Sequence, residues 1–438
     1  MLKKCMAVVM VFALAFCLCG CDLFAFDTEE LLSPPSLTGE LAPIADAITA
    51  SAEGNYTFKY PSRGNYRSAV VQEDINSDGL LEAFAFYSMT DGETQTMHIN
   101  VVVNQGGKWE SAAQQQIVAG GVDKIDFCDL DSDGTKEILV GWEIYGTSEM
   151  QLAVYSIGKS SLTQRMLQKY THFTPCNLDE DENNEILIIK TAGTNPVNSA
   201  VLYSLSDEGI TQISSCELDS NAKTFNEPII AELSTGKPAI YIDEIKGVGA
   251  VTEVLLMEKG NLVNPLFDVD TKETSATLRS AYFTTADING DGVMEIPVQE
   301  NVPSVTRSEV NEKLYLTNWC SFNGEVLTKQ MTAMINMEDG YYYTIPSKLV
   351  GNIAILKSTD SRLREIYRYN PADMTVGDSL LYIKAVDKKD WDSGKYSAEG
   401  IKEIANDGET SFICSISAAA VSDGITFESV VSGFKIIE

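Results

Sequence analysis

The chain has 438 residues, with 63 Asp and Glu against 32 Lys and Arg, a formal charge of −31 at pH 7. So acidic a surface argues against nucleic acid or an anionic membrane surface as a partner, because both call for a basic face. The length is enough for two domains, and no stretch beyond the N-terminus reaches the roughly 20 apolar residues that a membrane-crossing helix needs.

The chain opens with Lys3 and Lys4, then an apolar run over residues 7–18 that is too short to span a bilayer, so residues 1–20 are expected to be an export signal. Leu18-Cys19-Gly20-Cys21 resembles a bacterial lipobox. The resemblance implies that Cys21 is acylated and becomes the mature N-terminus, with a plain signal peptide as the alternative. Two acyl chains on one residue suffice for stable anchoring. The expectation is an exported protein held by lipid on the outer face of a bacterial cell membrane. Residues 21–61 form the tether, with Pro34-Pro35, a helix over residues 40–52 in which Leu41, Ile44, Ala45 and Ile48 share a face, and an alternating strand at residues 56–60.

Next come repeated acidic loops. Asp129-Leu-Asp131-Ser-Asp133-Gly134-Thr135-Lys-Glu137 runs directly into Ile138-Leu139-Val140. Oxygen side chains at positions 1, 3 and 5, a backbone carbonyl at 7 and a carboxylate at 9 can wrap a hard cation such as Ca2+, and Gly134 permits a sharp turn. Asp74-Ile-Asn76-Ser-Asp78-Gly79-Leu80-Leu-Glu82 and Asp287-Ile-Asn289-Gly-Asp291-Gly292-Val293-Met-Glu295 are complete copies. Asn177-Leu-Asp179-Glu-Asp181-Glu182-Asn183-Asn-Glu185 keeps the oxygens but places Glu182 where the glycine stands elsewhere. An EF-hand would need Glu at position 12, which here is Ala85, Val140, Ile188 or Val298. The alternative for any one loop is an Asx-rich turn without an ion.

The loops begin at residues 74, 129, 177 and 287, so a further copy is expected near 232. There Glu232-Leu-Ser234-Thr-Gly236-Lys-Pro238 precedes an apolar strand but lacks most ligands. Each loop is followed by a strand, a glycine hairpin (Gly106-Gly107, Gly158, Gly209, Gly260, Gly324) and another strand. Five units of about 50 to 55 residues, each of four short strands, describe a mainly β fold of the β-propeller kind. The combination resembles the FG-GAP or VCBS repeats of integrin-α-like propellers, over residues 62–335. That resemblance implies calcium ligands at Asp74, Asn76, Asp78, the Leu80 carbonyl and Glu82, and at Asp129, Asp131, Asp133, the Thr135 carbonyl and Glu137. It implies the same of Asp287, Asn289, Asp291, the Val293 carbonyl and Glu295, and less completely of Asn177, Asp179, Asp181, Asn183 and Glu185, where Asn183 is expected to take the positive φ. Glu rather than Asp at position 9, and five units rather than seven, depart from the family. Pro297 implies a bulge or an edge strand.

From residue 336 the loops stop. Tyr341-Tyr342-Tyr343 opens a β-rich run to residue 438 that resembles small α+β domains of the PsbP type, with Trp391 in a polar turn and a short helix at residues 427–434; two further blades, making seven, are the alternative. Cys128, Cys176, Cys216, Cys320 and Cys414 are odd in number and scattered, so no disulfide framework is expected. His98 and His172 lie in strands without a nucleophile motif, and Trp109, Trp142 and Trp319 read as core. With no catalytic constellation in view, the expectation is a non-catalytic surface module that binds a protein, glycan or cell-wall polymer. The alternative is a secreted hydrolase, which would show clustered His, Arg or carboxylates outside the acidic loops.

Overall fold

A computed structural model describes residues 39–437, apart from 53, 92–93, 159, 193–196, 207, 281–282, 307–313, 358–359 and 361. The signal segment, Cys21 and the tether up to residue 38 lie outside the described residues. The fold is mainly β and propeller-type, a succession of small antiparallel sheets. Two compact units are present, one running to Phe127 and including Gly134–Arg165, the other made of Cys128–Asp133 and Met166–Glu438. No helix among the described residues is long and apolar enough to cross a membrane.

In the first unit, one sheet orders Tyr56–Phe58, Glu82–Asp91, Thr94–Gln105 and Lys108–Ile117, with Val70–Glu73 also paired to Glu82–Asp91. The Gln105–Lys108 turn needs left-handed backbone at both central residues, which Gly106 (φ 65°) and Gly107 (φ 91°) supply. A second sheet runs Gly121–Cys128, Glu137–Glu143, Met150–Ile157 and Leu162–Tyr170. Glu137–Glu143 is a continuous apolar run because its residues are buried on both faces. Phe84, Phe86, Ile99 and Val101 share a core with Ile138, Val140, Trp142 and Tyr155. The expected helix is Ala42–Ser51, with Pro43 in its first turn. Its Ile44 and Ile48, one turn apart, cover Ala83, Ala85, Tyr87 and Val102.

In the second unit, His172–Cys176, Glu185–Lys190, Ser199–Ser206 and Gly209–Glu217 form one meander. The next sheet centres on Pro238–Lys246 and Gly249–Glu258, with Asn261–Val263 outside and both Thr224–Phe225 and Ile229–Glu232 on the other edge. Another sheet starts at the edge strand Glu295–Asn301, where Pro297 costs no ladder donor that a neighbour needs. It continues through Tyr315–Phe322 and Leu327–Asn336.

Tyr341–Thr344 joins this same sheet, pairing with Leu327–Asn336 on one side and with the terminal strand Phe434–Ile436 on the other. Tyr341 and Tyr343, two residues apart, face a core that also holds Leu316, Met334, Phe412 and Phe434. Residues 304–306, 353–357, 363–370, 375–387, 401–406 and 410–416 make the six-stranded sheet that follows. Trp391, expected in a turn, sits in the short helix Lys388–Asp392. The helix Phe427–Gly433 is closed at its start by a Thr426/Ser429 capping box.

A chain ended after Ala333 would lose two strands of this sheet, the Ile345 N–H to Thr332 carbonyl bond of 2.7 Å and most of the shared core. Limited proteolysis of that truncated protein should therefore cut within residues 295–333, while the first unit resists. Protection of 295–333 equal to the full chain would contradict this.

Candidate functional site

The acidic loops share one construction. Each ends on a Glu that opens a strand and is buried: Glu82, Glu137, Glu185 and Glu295. At Glu82, Glu185 and Glu295 the carboxylate reaches back to accept the backbone N–H of loop position 2, from Ile75 at 3.1 Å, Leu178 at 3.1 Å and Ile288 at 3.0 Å. The length of the Glu side chain spans that distance.

Position 4 is left-handed in every loop: Ser77 (φ 58°), Ser132 (φ 56°), Glu180 (φ 61°) and Gly290 (φ 80°). Position 6 is left-handed only where it is glycine, at Gly79, Gly134 and Gly292. The expectation that Asn183 would take the positive φ in the third loop is thus corrected; Glu180 does so instead, and the loop forms without a glycine.

The third loop brings Asp179, Asp181 and Glu185 together, with one carboxylate oxygen of each within 4.8 Å of the others, a group that could hold a metal ion. Burial, together with the charges of Asp179 and Asp181, pushes the Glu185 carboxyl up to about 7. Asn177 is turned inward, its amide donating to the Asp181 carbonyl at 2.8 Å and its oxygen accepting from Glu180 N at 2.8 Å.

In the first and fifth repeats the described carboxylates do not converge in this way. Asp74 accepts from Asp78 N (3.2 Å) and Gly79 N (3.0 Å), and Asp287 from Asp291 N (3.2 Å) and Gly292 N (2.9 Å). Asp78 and Asp291 accept from Leu80 N and Val293 N, and Asn76 and Asn289 donate to Asp78 and Asp291.

The boundary between the two units falls within the second loop, after Asp133, so its halves are described apart. In the second unit Asp131 keeps a buried carboxylate oxygen with no hydrogen-bond partner, and burial and the neighbouring Asp133 charge raise its pKa. There Ser132 Oγ donates to the Glu182 carbonyl, and Asn184 Nδ2 donates to the Asp129 carbonyl at 2.7 Å. In the first unit Glu137 accepts from Ser156 Oγ at 3.0 Å, and Lys136 N donates to the Ile75 carbonyl at 2.7 Å. The degenerate fourth copy is a turn: Ser234 gives both its N–H (3.0 Å) and its hydroxyl (3.1 Å) to the Phe322 carbonyl.

The histidines are taken up in packing, His98 stacked on Tyr87 with ring centroids 5.1 Å apart and His172 paired with Glu227 at 3.4 Å. All five cysteines in the described residues are free thiols.

A cleft of about 310 Å³ in the second unit went unnoticed in the sequence. Its lining includes Arg279, Gln299, Tyr315, Asn336, Glu338 and Arg364, none of them from an acidic loop. Arg279 is held rigidly, its guanidinium donating to Asp243 Oδ1 (2.9 Å), Thr252 Oγ1 (3.0 Å) and the Phe283 carbonyl (2.7 Å). Separate segments bring these side chains together, so no local spacing could have revealed them.

No protein-family model matches the chain, and no curated protein does. Solved structures do match, at low identity. An exotype rhamnogalacturonan lyase, YesX, is 12% identical with a TM-score of 0.32, over 74% of this chain and 83% of that one. A periplasmic gluconolactonase of Pseudomonas aeruginosa is 12% identical with a TM-score of 0.31, over 73% and 86%. A rhamnogalacturonan lyase of Bacillus licheniformis is 12% identical with a TM-score of 0.31, over 81% and 90%. Each is an enzyme by name. The expectation of a non-catalytic module is corrected on this finding.

The loop construction makes a separable prediction at Glu185. Glu185→Ala strands the Leu178 N–H in a buried position and should cost about 2 kcal/mol in chelator-treated protein, within the range for an unsatisfied buried donor. Glu185→Gln keeps an acceptor of the same reach and should cost less than about 1 kcal/mol. Urea unfolding of both variants measures this; equal losses would show that the carboxylate does not hold the loop.

Proposed function

We propose that the chain is an exported hydrolase acting on an extracellular or envelope glycan, anchored through lipid on Cys21 and carrying calcium in FG-GAP-like loops that stiffen its propeller. One observation supports catalysis over simple binding. Outside the acidic loops, two arginines and a glutamate, Arg279, Arg364 and Glu338, line a single cleft. That is the clustering by which a hydrolase was to be told from a binding module.

The lining suits a sugar. Gln299 and Ser280 offer an amide and a hydroxyl for ring hydroxyls, and Tyr315 offers an aromatic ring. Arg279, buried and held by Asp243, fixes one wall, while Arg364 is the partly exposed arginine of the cleft. Glu338 is exposed at the cleft and is the carboxylate there that can exchange a proton with a glycosidic oxygen or a water.

In the loops, the ligands proposed are those of the resemblance, Asp74 to Glu82, Asp129 to Glu137 and Asp287 to Glu295. The third loop ranks with them because its carboxylates converge. A cation there relieves the repulsion that, together with burial, raises the Glu185 carboxyl to about 7.

The test is an assay of the purified full chain against a panel of polysaccharides, with rhamnogalacturonan and β-1,3-galactan included, scored for new reducing ends. Glu338→Gln should lower turnover at least about 100-fold, the usual contribution of a general acid or base, and Arg364→Ala should raise KM. No cleavage of any polymer, or wild-type rates in both variants, would contradict the reading.

A further inference from the structure

The fourth repeat lacks a usable acidic loop, yet it buries more carboxylate than its own cations can match. In the hairpin of Pro238–Lys246 and Gly249–Glu258, the register sets Ile242 opposite Glu253 and Glu244 opposite Val251. Paired residues of an antiparallel ladder share a face, so Glu244 and Glu253 are diagonal neighbours on one side, while Asp243 and Thr252 face the other. Glu244 is 1% exposed and Glu253 is 0% exposed.

The positive charges nearby are already engaged. Arg279 pairs with Asp243 at 2.9 Å on the opposite face. Lys246 pairs with Asp219 at 2.8 Å and Glu273 at 2.7 Å. Glu253 receives only neutral donors: the Thr274 hydroxyl at 2.7 Å, the Asn264 amide at 2.7 Å and Asp219 N at 3.2 Å. Both carboxyl oxygens of Glu244 are buried and without a hydrogen-bond partner, and so is the side-chain oxygen of Asn264. The two Glu244 oxygens, with the Glu253 carboxylate beside them, and the Asn264 oxygen are thus acceptors without a donor, and leaving such groups dry and unmatched is strongly unfavourable.

We propose that Glu244, Glu253 and the Asn264 side-chain oxygen hold a buried calcium ion, at a site separate from the acidic loops. One divalent cation balances two carboxylates, where a single shared proton balances one. Oxygen donors alone select a hard cation. Calcium accepts irregular and bidentate carboxylate geometry, whereas magnesium keeps several waters that a site this buried does not favour. Burial and the adjacent Glu253 carboxylate push the Glu244 carboxyl well above the usual range, the response expected of an acid kept in this place without the ion. The repeat whose loop has become a plain turn at Ser234 thus carries its cation inside the sheet rather than at its end.

The test is the calcium content of the purified full chain after chelator treatment, reloading with calcium and desalting. Glu244→Gln and Glu253→Gln should each lose one calcium per chain relative to wild type. The double variant should lose no more than that, and Asp181→Ala should subtract a different, additive equivalent. Should either Gln variant fail to fold, crystals of the wild-type protein grown with calcium report independently, through an anomalous peak between Glu244 and Glu253. A folded Glu244→Gln that keeps the wild-type calcium content would overturn the site. So would a wild-type map with the two carboxyl groups in direct contact and no ion between them, the arrangement of a shared-proton pair.

Discussion

A carboxyl group placed where a strand enters the core loses its water, and the structure must return either donors or positive charge to it. Much of this chain's organisation follows from how that requirement is met. At Glu82, Glu185 and Glu295 the first part of the answer is the N–H of loop position 2, which ties the end of each loop back to its beginning. The rest of the loop then crowds further carboxylates beside the buried one. In the third loop burial, and after it the crowding, raises the Glu185 carboxyl to about 7, and a cation is the natural counter-charge.

The same requirement distinguishes the repeats from one another. In the first and fifth repeats the leading Asp74 and Asp287 spend their oxygens on backbone N–H groups, so those loops hold their shape as Asx turns. The third relies on converging carboxylates, and the segment around Asp129 is joined to it through Asn184 and Ser132. The fourth has exchanged loop carboxylates for Ser234, while Glu244 and Glu253 stand inside the sheet. Apart from the loops, the ion pair of Arg279 with Asp243 fixes one wall of the cleft in the second unit.

Much of the fold was legible in the sequence because its signals are local. The Gly106-Gly107 turn, the apolar run after Glu137 and the spacing of Ile44 and Ile48 each depend on neighbours a few residues away. The loops were legible for the same reason, but their ranking was not. Glycine at position 6 looks decisive in a sequence, whereas the left-handed residue common to all the loops is at position 4, where Ser and Glu are accepted as well. Tyr341 to Tyr343 were recognised as a strand, but alternation does not name the sheet that a strand joins. The cleft and the Glu244–Glu253 pair were invisible, since segments far apart in the chain build the first and strand register builds the second. The charged residues of the cleft could not be read as a motif along the chain, because they gather only in three dimensions.

The central claim is that cations, not only donors, satisfy the buried carboxylates. Its most direct test is a thermal melt of the full chain in chelator, in calcium and in magnesium at equal ionic strength. At ten times its dissociation constant each site contributes about 1.4 kcal/mol, so several sites together should raise the melting temperature by several degrees in calcium and far less in magnesium. Identical melting temperatures in chelator and in calcium would contradict the account.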